Sequence, residues 1–356
     1  MDIKNLIPYT ESIPAPAQIF ILLEQLFFLI HIVLINSIFG LSFITVYKLL
    51  KSSDMIESLQ RDKSIAKQIP ILFALAINMA IPALLFIQVV FGHFFYTSSV
   101  LLGTFWILII PLLIIAYYAS YFHYRKFENL RLARLSLLTV IFIMLYIAFI
   151  LVNNLSLMEE PEQWKKYFEN RSGTILMWNT LSIYPRYLHF IVGSIAIGGF
   201  FYSLYYNFRK DMEQKLQYLK IKEGLKIFSY ATMLQIFVGI LFLMSLPEKV
   251  MRNYVGGDFL ATTIFVSGVI FAIITLFSGL KEKLTTTAFF LLLTLFTMII
   301  NRYYLRVFQL GENFRISELK IMPQWDVFVT FLLIFGAGIA VIFYMIRIAF
   351  YKEVKK

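Results

Sequence analysis

LEQLFFLIHIVLINSIFGLSF, residues 23–43, decides the fold. Apart from Glu24, Gln25, His31, Asn36, Ser37 and Ser42, every position is apolar or glycine. A stretch of about twenty such residues has the length of a membrane-crossing helix. Outward from it the pattern repeats. Apolar segments run over 18–47, 70–92, 98–122, 135–154, 186–207, 226–246, 259–280, 284–301 and 326–346. The reading is an all-α integral membrane protein, a bundle of about nine transmembrane helices in a single polytopic domain, 1–356. Composition agrees. Of 356 residues, 60% are hydrophobic and 15% charged, whereas soluble domains carry about 45–50% and about 25%. The first 17 residues lack the basic n-region and short apolar core of a cleaved signal. No internal repeat or low-complexity stretch stands out.

Cysteine is absent. That excludes disulfides, thiolate metal sites and covalent attachment of a c-type haem to this chain. The net charge of +11 does not point to nucleic acid here, because basic residues gather on one side of a membrane protein. The loops 48–67, 125–134, 209–226, 281–283 and 347–356 hold 21 of the 32 Lys and Arg, and the alternate set holds 11. The richer set is expected in the cytoplasm. The N-terminus is then outside and the C-terminus inside, in the inner membrane of a prokaryote.

Ionisable residues inside spans are costly and mark function by default. The first span carries Glu24 and His31, which lie seven residues apart and so within 20° of one face. His31 is expected about 15–20 Å from the outer end. His189 opens the fifth span, His93 closes the second in FGHFFYTSS, and His123 sits at the inner end of the third beside a basic loop. Two helices presenting histidines at similar depth can hold a haem iron, for which imidazole is a common ligand. Haem propionates need cations, and Arg186, Arg302 and Arg306 lie on the outer side. Each reading has a plainer counterpart. A membrane histidine also serves as an interhelical hydrogen-bonding residue, and the arginines also serve as interface anchors. His93 is either a ligand or an interfacial side chain among aromatics. His123 reads as interfacial. Glu24 is either a proton-handling group or a buried hydrogen-bonding carboxyl.

These residues resemble a known family. The first span, with His31 followed nine residues later by Gly40, is similar to the first helix of cytochrome bd oxidase subunit I. INMAIPALLFIQVVFG (77–92) is similar to that family's second helix, and RYLHFIVGSIAIGGFF (186–201) to its fifth. The likeness covers about residues 18–246. It implies a nine-span fold and haem b. His31 would then ligate haem at the oxygen-reacting centre, and His189 would ligate the low-spin haem that takes electrons from quinol.

The departures are specific. The family's methionine ligand has no counterpart in span 259–280, and Met298 or His93 substitutes only by depth. The third span lacks the family's glutamates, and the quinol-binding loop is reduced to LPEKVMRNYVGGD (246–258). The resemblance therefore implies a divergent, shortened relative that passes electrons between quinol and partner subunits, c-type cytochromes among them, without reducing oxygen. Two alternatives stand beside it: a haem-free membrane anchor or transporter subunit, and a retained oxygen-reducing quinol oxidase.

Overall fold

The computed structural model describes residues 6–51, 55–209 and 211–354. Ten α-helices follow in chain order: α1 (Ala17–Lys51), α2 (Met55–Leu101), α3 (Gly103–Arg125), α4 (Leu130–Glu159), α5 (Ile183–Asn207), α6 (Gln214–Met244), the short α7 (Glu248–Arg252), α8 (Phe259–Leu280), α9 (Leu284–Leu310) and α10 (Trp325–Val354). Among the described residues no strand forms. One isolated bridge joins Ile13 to Ile321. Lipid offers no partner to a backbone N–H or C=O, so helices satisfy both within the segment. Side-chain hydroxyls inside the spans do the same. Ser37 donates to the Val33 carbonyl at 2.8 Å, and Ser42 to that of Ile38 at 2.7 Å.

Eight helices are long and apolar enough to cross a membrane among the described residues: α1 to α6, α8 and α9. The chain is a multi-pass membrane protein. The ninth expected span, 326–346, falls on α10, several of whose side chains lie outside the described residues. The expected break near residue 93 is not a break. α2 continues to Leu101 and bends at Phe91 (φ −119°, ψ 24°), just before Gly92. Thr97, Ser98 and Ser99 hydrogen-bond back to the carbonyls of His93 and Phe95, which holds the polar segment helical. The true turn comes at Leu102, one residue before α3 begins.

α1 is the central helix and packs against α2, α4, α5 and α9. Its contact with α5 sets the frame. A Cβ placed on Gly40 would stand 1.9 Å from the Ser194 carbonyl oxygen, and one on Gly198 would stand 2.5 Å from Gly40 Cα. Only glycine at both positions lets the backbones approach this closely. Four residues earlier on each helix, Ser194 Oγ donates to Asn36 Oδ1 at 2.9 Å. Asn36 with Ser194 and Gly40 with Gly198 share an offset of 158 residues. A constant offset means the two helices run parallel and in register. The sequence carries this as a short repeat that composition alone does not reveal. HIVLINSIFG (31–40) and HFIVGSIAIG (189–198) both read His, then a small polar residue five positions on, then glycine nine positions on.

α10 covers the outside of α1 and α2 through phenylalanines. Phe328 meets Phe20, Phe335 meets Phe27 and Phe331 meets Phe86, with ring centroids 5.7–6.4 Å apart. Near the other end of the bundle His123 is fully buried, contrary to its interfacial reading. Its Nδ1 donates to the Ala133 carbonyl at 2.8 Å, which ties α3 to α4 across their turn.

The helix crossing makes a direct prediction. Gly198→Leu meets backbone, which cannot yield as a side chain can, so overpacking costs about 1–3 kcal/mol or more. Thermal unfolding in detergent should show a lowered Tm for this variant. Gly336→Ala, with nothing within 4 Å of its added Cβ, should not lower the Tm.

Candidate functional site

Four helices deliver charge to one buried place. Glu24 comes from α1, Glu159 from α4, Arg186 from α5, and Arg302 with Arg306 from α9. Arg302 Nη1 donates to Glu24 Oε1 at 3.1 Å. Arg306 Nη1 stands 3.5 Å from the same oxygen, and its Nε stands 3.8 Å from Glu159 Oε1. Arg186 donates to Glu159 Oε2 at 2.6 Å and to Ser156 Oγ at 2.7 Å. Gln25 adds a hydrogen bond to the other oxygen of Glu24. Each guanidinium also lies over an aromatic ring. Arg302 sits 3.7 Å from the Phe28 centroid, Arg306 4.8 Å from that of Phe91, and Arg186 5.4 Å from that of Phe242. Such stacking suits the weakly hydrated guanidinium.

Two features of this cluster bear on ligands. With both carboxylates ionised, the three guanidiniums leave one formal positive charge uncompensated. Arg306 is also 0% exposed, and among the described residues none of its three nitrogens has a hydrogen-bond partner. A buried guanidinium whose donors are all unused is expensive. The chemistry of the donor set suits one additional carboxylate. The arginines singled out in the sequence thus converge, though their nearest partners are the chain's own glutamates. Glu159 escaped the sequence reading because it lies beyond the apolar stretch 135–154. The signal was the helical continuation NNLSLMEEP (153–161), which carries α4 to Glu159.

Three of the histidines lie on α1, α2 and α5. His31 Nδ1 donates to the Ala76 carbonyl on α2 at 2.9 Å. A carbonyl only accepts, so the proton is on Nδ1 and the lone pair is on Nε2. A hydrogen bond from the other ring nitrogen to a carbonyl is what orients a metal-binding imidazole. His189 occupies the equivalent position on α5, since His31 and His189 share the 158-residue offset. Both stand nine residues before their crossing glycine, about 13.5 Å along the axis. Its Nδ1 is buried with no hydrogen-bond partner. The ring lies against α6 at Gly239, where an added Cβ would come within 3.3 Å of Cε1, and Gln235 Nε2 donates to the His189 carbonyl at 2.9 Å.

The structure directs the two imidazoles to different neighbours, His31 to α2 and His189 to α6. Equal depth therefore does not place one iron between them. Glu24 and His31 also part company. They share a face of α1 in projection, yet Glu24 meets α9 and His31 meets α2. Packed helices cross at an angle as a rule, so the same face can touch a different helix two turns along the axis.

His93 lies two residues past the bend of α2, with its ring 4.2 Å from Phe94 and 5.5 Å from Phe314. Phe314 also touches Phe91, the ring beneath Arg306. His93 thus borders the charge cluster through one aromatic layer. Met298 is 39% exposed on α9, at the surface of the bundle. No group of three or more metal-ligating side chains forms among the described residues. An iron here would be held by single imidazoles and a macrocycle.

No family model and no curated protein matches this chain. A solved structure does. One chain of the bd oxidase from Geobacillus thermodenitrificans superposes with a TM-score of 0.63 at 17% sequence identity. The match covers 93% of this chain and 98% of that chain. At this identity the likeness is one of fold.

The ion cluster yields two predictions. Glu24→Gln leaves a second guanidinium charge uncompensated, which costs about 3–5 kcal/mol where a buried pair is broken. Its Tm should fall, and Glu24→Gln with Arg302→Gln should recover part of the loss. A single variant as stable as the parent would show that the pair contributes nothing. The second concerns Glu160, half-buried just past α4, whose carboxyl is pushed above its ordinary value of 4.5 mainly by burial, with Arg186 opposing. For a raised acid the folded state holds the proton longer than the unfolded chain. The contribution is therefore full below the ordinary carboxylate range and is lost as pH rises from 4.5 through the raised value. Melting curves should show Glu160→Gln gaining stability relative to the parent as pH rises across that window.

Proposed function

We propose that this chain is the haem b-holding membrane subunit of a quinol-linked electron-transfer complex. One observation carries the reading. His31 and His189 occupy matched positions on two parallel helices, and each has an imidazole nitrogen without a hydrogen-bond partner among the described residues. His31 would ligate through Nε2, with Ala76 fixing the tautomer. His189 would ligate from the α5–α6 side, where Gly239 leaves the ring uncovered by a side chain. His93 and Met298 would be the further residues available to hold the haem. Haem b, when bound, supplies one-electron chemistry at a potential set by its axial ligands and burial.

Arg186, Arg302 and Arg306 would hold a propionate, with Arg306 offering three unused donors and the cluster one unmatched positive charge. Glu24 is the proton-handling carboxylate. Its Oε1 accepts from Arg302, so a proton arriving there weakens that ion pair. Quinol is the electron donor, and partner subunits, c-type cytochromes among them, take the electrons. The lack of cysteine places any c-type haem on a partner. The excess of Lys and Arg in one set of loops supports a cytoplasmic C-terminus, in what we read as the inner membrane of a prokaryote. The missing third-span carboxylates argue against oxygen reduction by this chain.

The deciding measurement is a reduced-minus-oxidised spectrum with a pyridine haemochrome assay on the purified chain. Sharp b-type bands and about one or two haems per chain are expected. His189→Ala and His31→Ala should each remove signal while the protein stays folded. Full haem content in both variants would overturn the ligand assignment, and a flat spectrum in folded protein would return the chain to an anchor or transporter role. Glu24→Gln should slow quinol oxidation at unchanged haem content.

A further inference from the structure

A groove of about 790 Å³ runs between α3 and α4 near the turn that joins them. Its volume falls within the range of about 300–1,000 Å³ typical of ligand sites. The walls are apolar, with Ile114, Ile115 and Leu135 about half exposed. α3 is the span least covered by protein, with 11% of its apolar window buried. Arg125 lines the end of the groove nearest the turn. Among the described residues its guanidinium has neither a hydrogen bond nor an ion pair, and it is exposed. Lys126 and Arg131 flank it in the turn and at the start of α4. The acid of that turn, Glu128, is engaged by Lys63 at 2.7 Å. The mouth of the groove therefore carries uncompensated positive charge. Tyr118, 69% exposed, offers its hydroxyl along the wall.

We propose that this groove is a binding site for an anionic phospholipid, with the phosphate at Arg125 and an acyl chain between α3 and α4. The charge complementarity is one-sided, and the apolar walls have no use for a free phosphate. Basic pockets between transmembrane helices bind acidic headgroups in this way. Arg125 reaches a headgroup at the interface while its aliphatic stem lies along the groove. The site is separate from the buried cluster of Glu24 and Arg306, whose residues line no part of it.

Native mass spectrometry of the full-length protein in detergent tests this, with dioleoyl phosphatidylglycerol and dioleoyl phosphatidylcholine added in equal amounts. The anionic lipid should be retained preferentially, by about five-fold for each basic residue engaged. Arg125→Gln should lower its retention by about that factor and leave phosphatidylcholine unchanged. Ala119→Trp, which fills the groove, should lower retention of both, and Thr139→Trp provides a second filled variant. Lys249→Gln, an exposed cation elsewhere, should change nothing. Equal retention of the two lipids by the parent protein would overturn the proposal. So would full retention in the filled variants, or inorganic phosphate displacing the lipid at matched concentration.

Discussion

Five charged side chains from four helices pair with one another inside an apolar bundle, and the arrangement of those helices depends on it. A charge at the bilayer centre costs about 2.5–3.5 kcal/mol on insertion scales. Glu24, Glu159 and Arg306 are each at most 3% exposed. None could be left there alone. α1, α4, α5 and α9 must therefore converge at one level, and they do so around Glu24 and Glu159. The aromatic rings beneath the guanidiniums complete the lining without adding further polar groups.

The second constraint is the close approach of α1 and α5. Gly40 and Gly198 allow backbone contact, and the Asn36–Ser194 hydrogen bond fixes the register. The hydrophobic effect does not drive helices together in lipid, so close packing and interhelical hydrogen bonds carry more of the burden. Locking these two helices in parallel register sets His31 and His189 at one depth. It also puts Arg186, three residues before His189, at the height where α4 ends and α9 passes. The crossing thus positions both the imidazoles and one arm of the ion cluster.

Residues 91–123 show where local reading was weakest. The FGHFFYTSS segment has polar residues and a glycine, which suggest a loop. In the fold it is helix, because its hydroxyls bond back to carbonyls of the preceding turn and the chain bends at Phe91 instead of turning. His93 moves accordingly, from a helix end to the interior of a long helix beside Phe314. His123 shows the same limit. Beside Arg125 and Lys126 it reads as a surface residue, and only the packing of α3 on α4 buries it.

The sequence by itself determined that the chain crosses a membrane many times, where most of its helices lie, and which few ionisable residues stand inside them. Those properties follow from apolar run length and from the cost of charge in lipid, both of which are local. The spacing of His31 to Gly40 and of His189 to Gly198 was equally present in the sequence. Its meaning as a matched pair was not, because register between two helices is set by contact. The pairing of Glu24 with Arg302, 278 residues apart, belongs wholly to the tertiary structure. Which neighbour each histidine meets, and that Glu159 joins the cluster at all, depend on the crossing angles of packed helices, and no single segment of the sequence contains them.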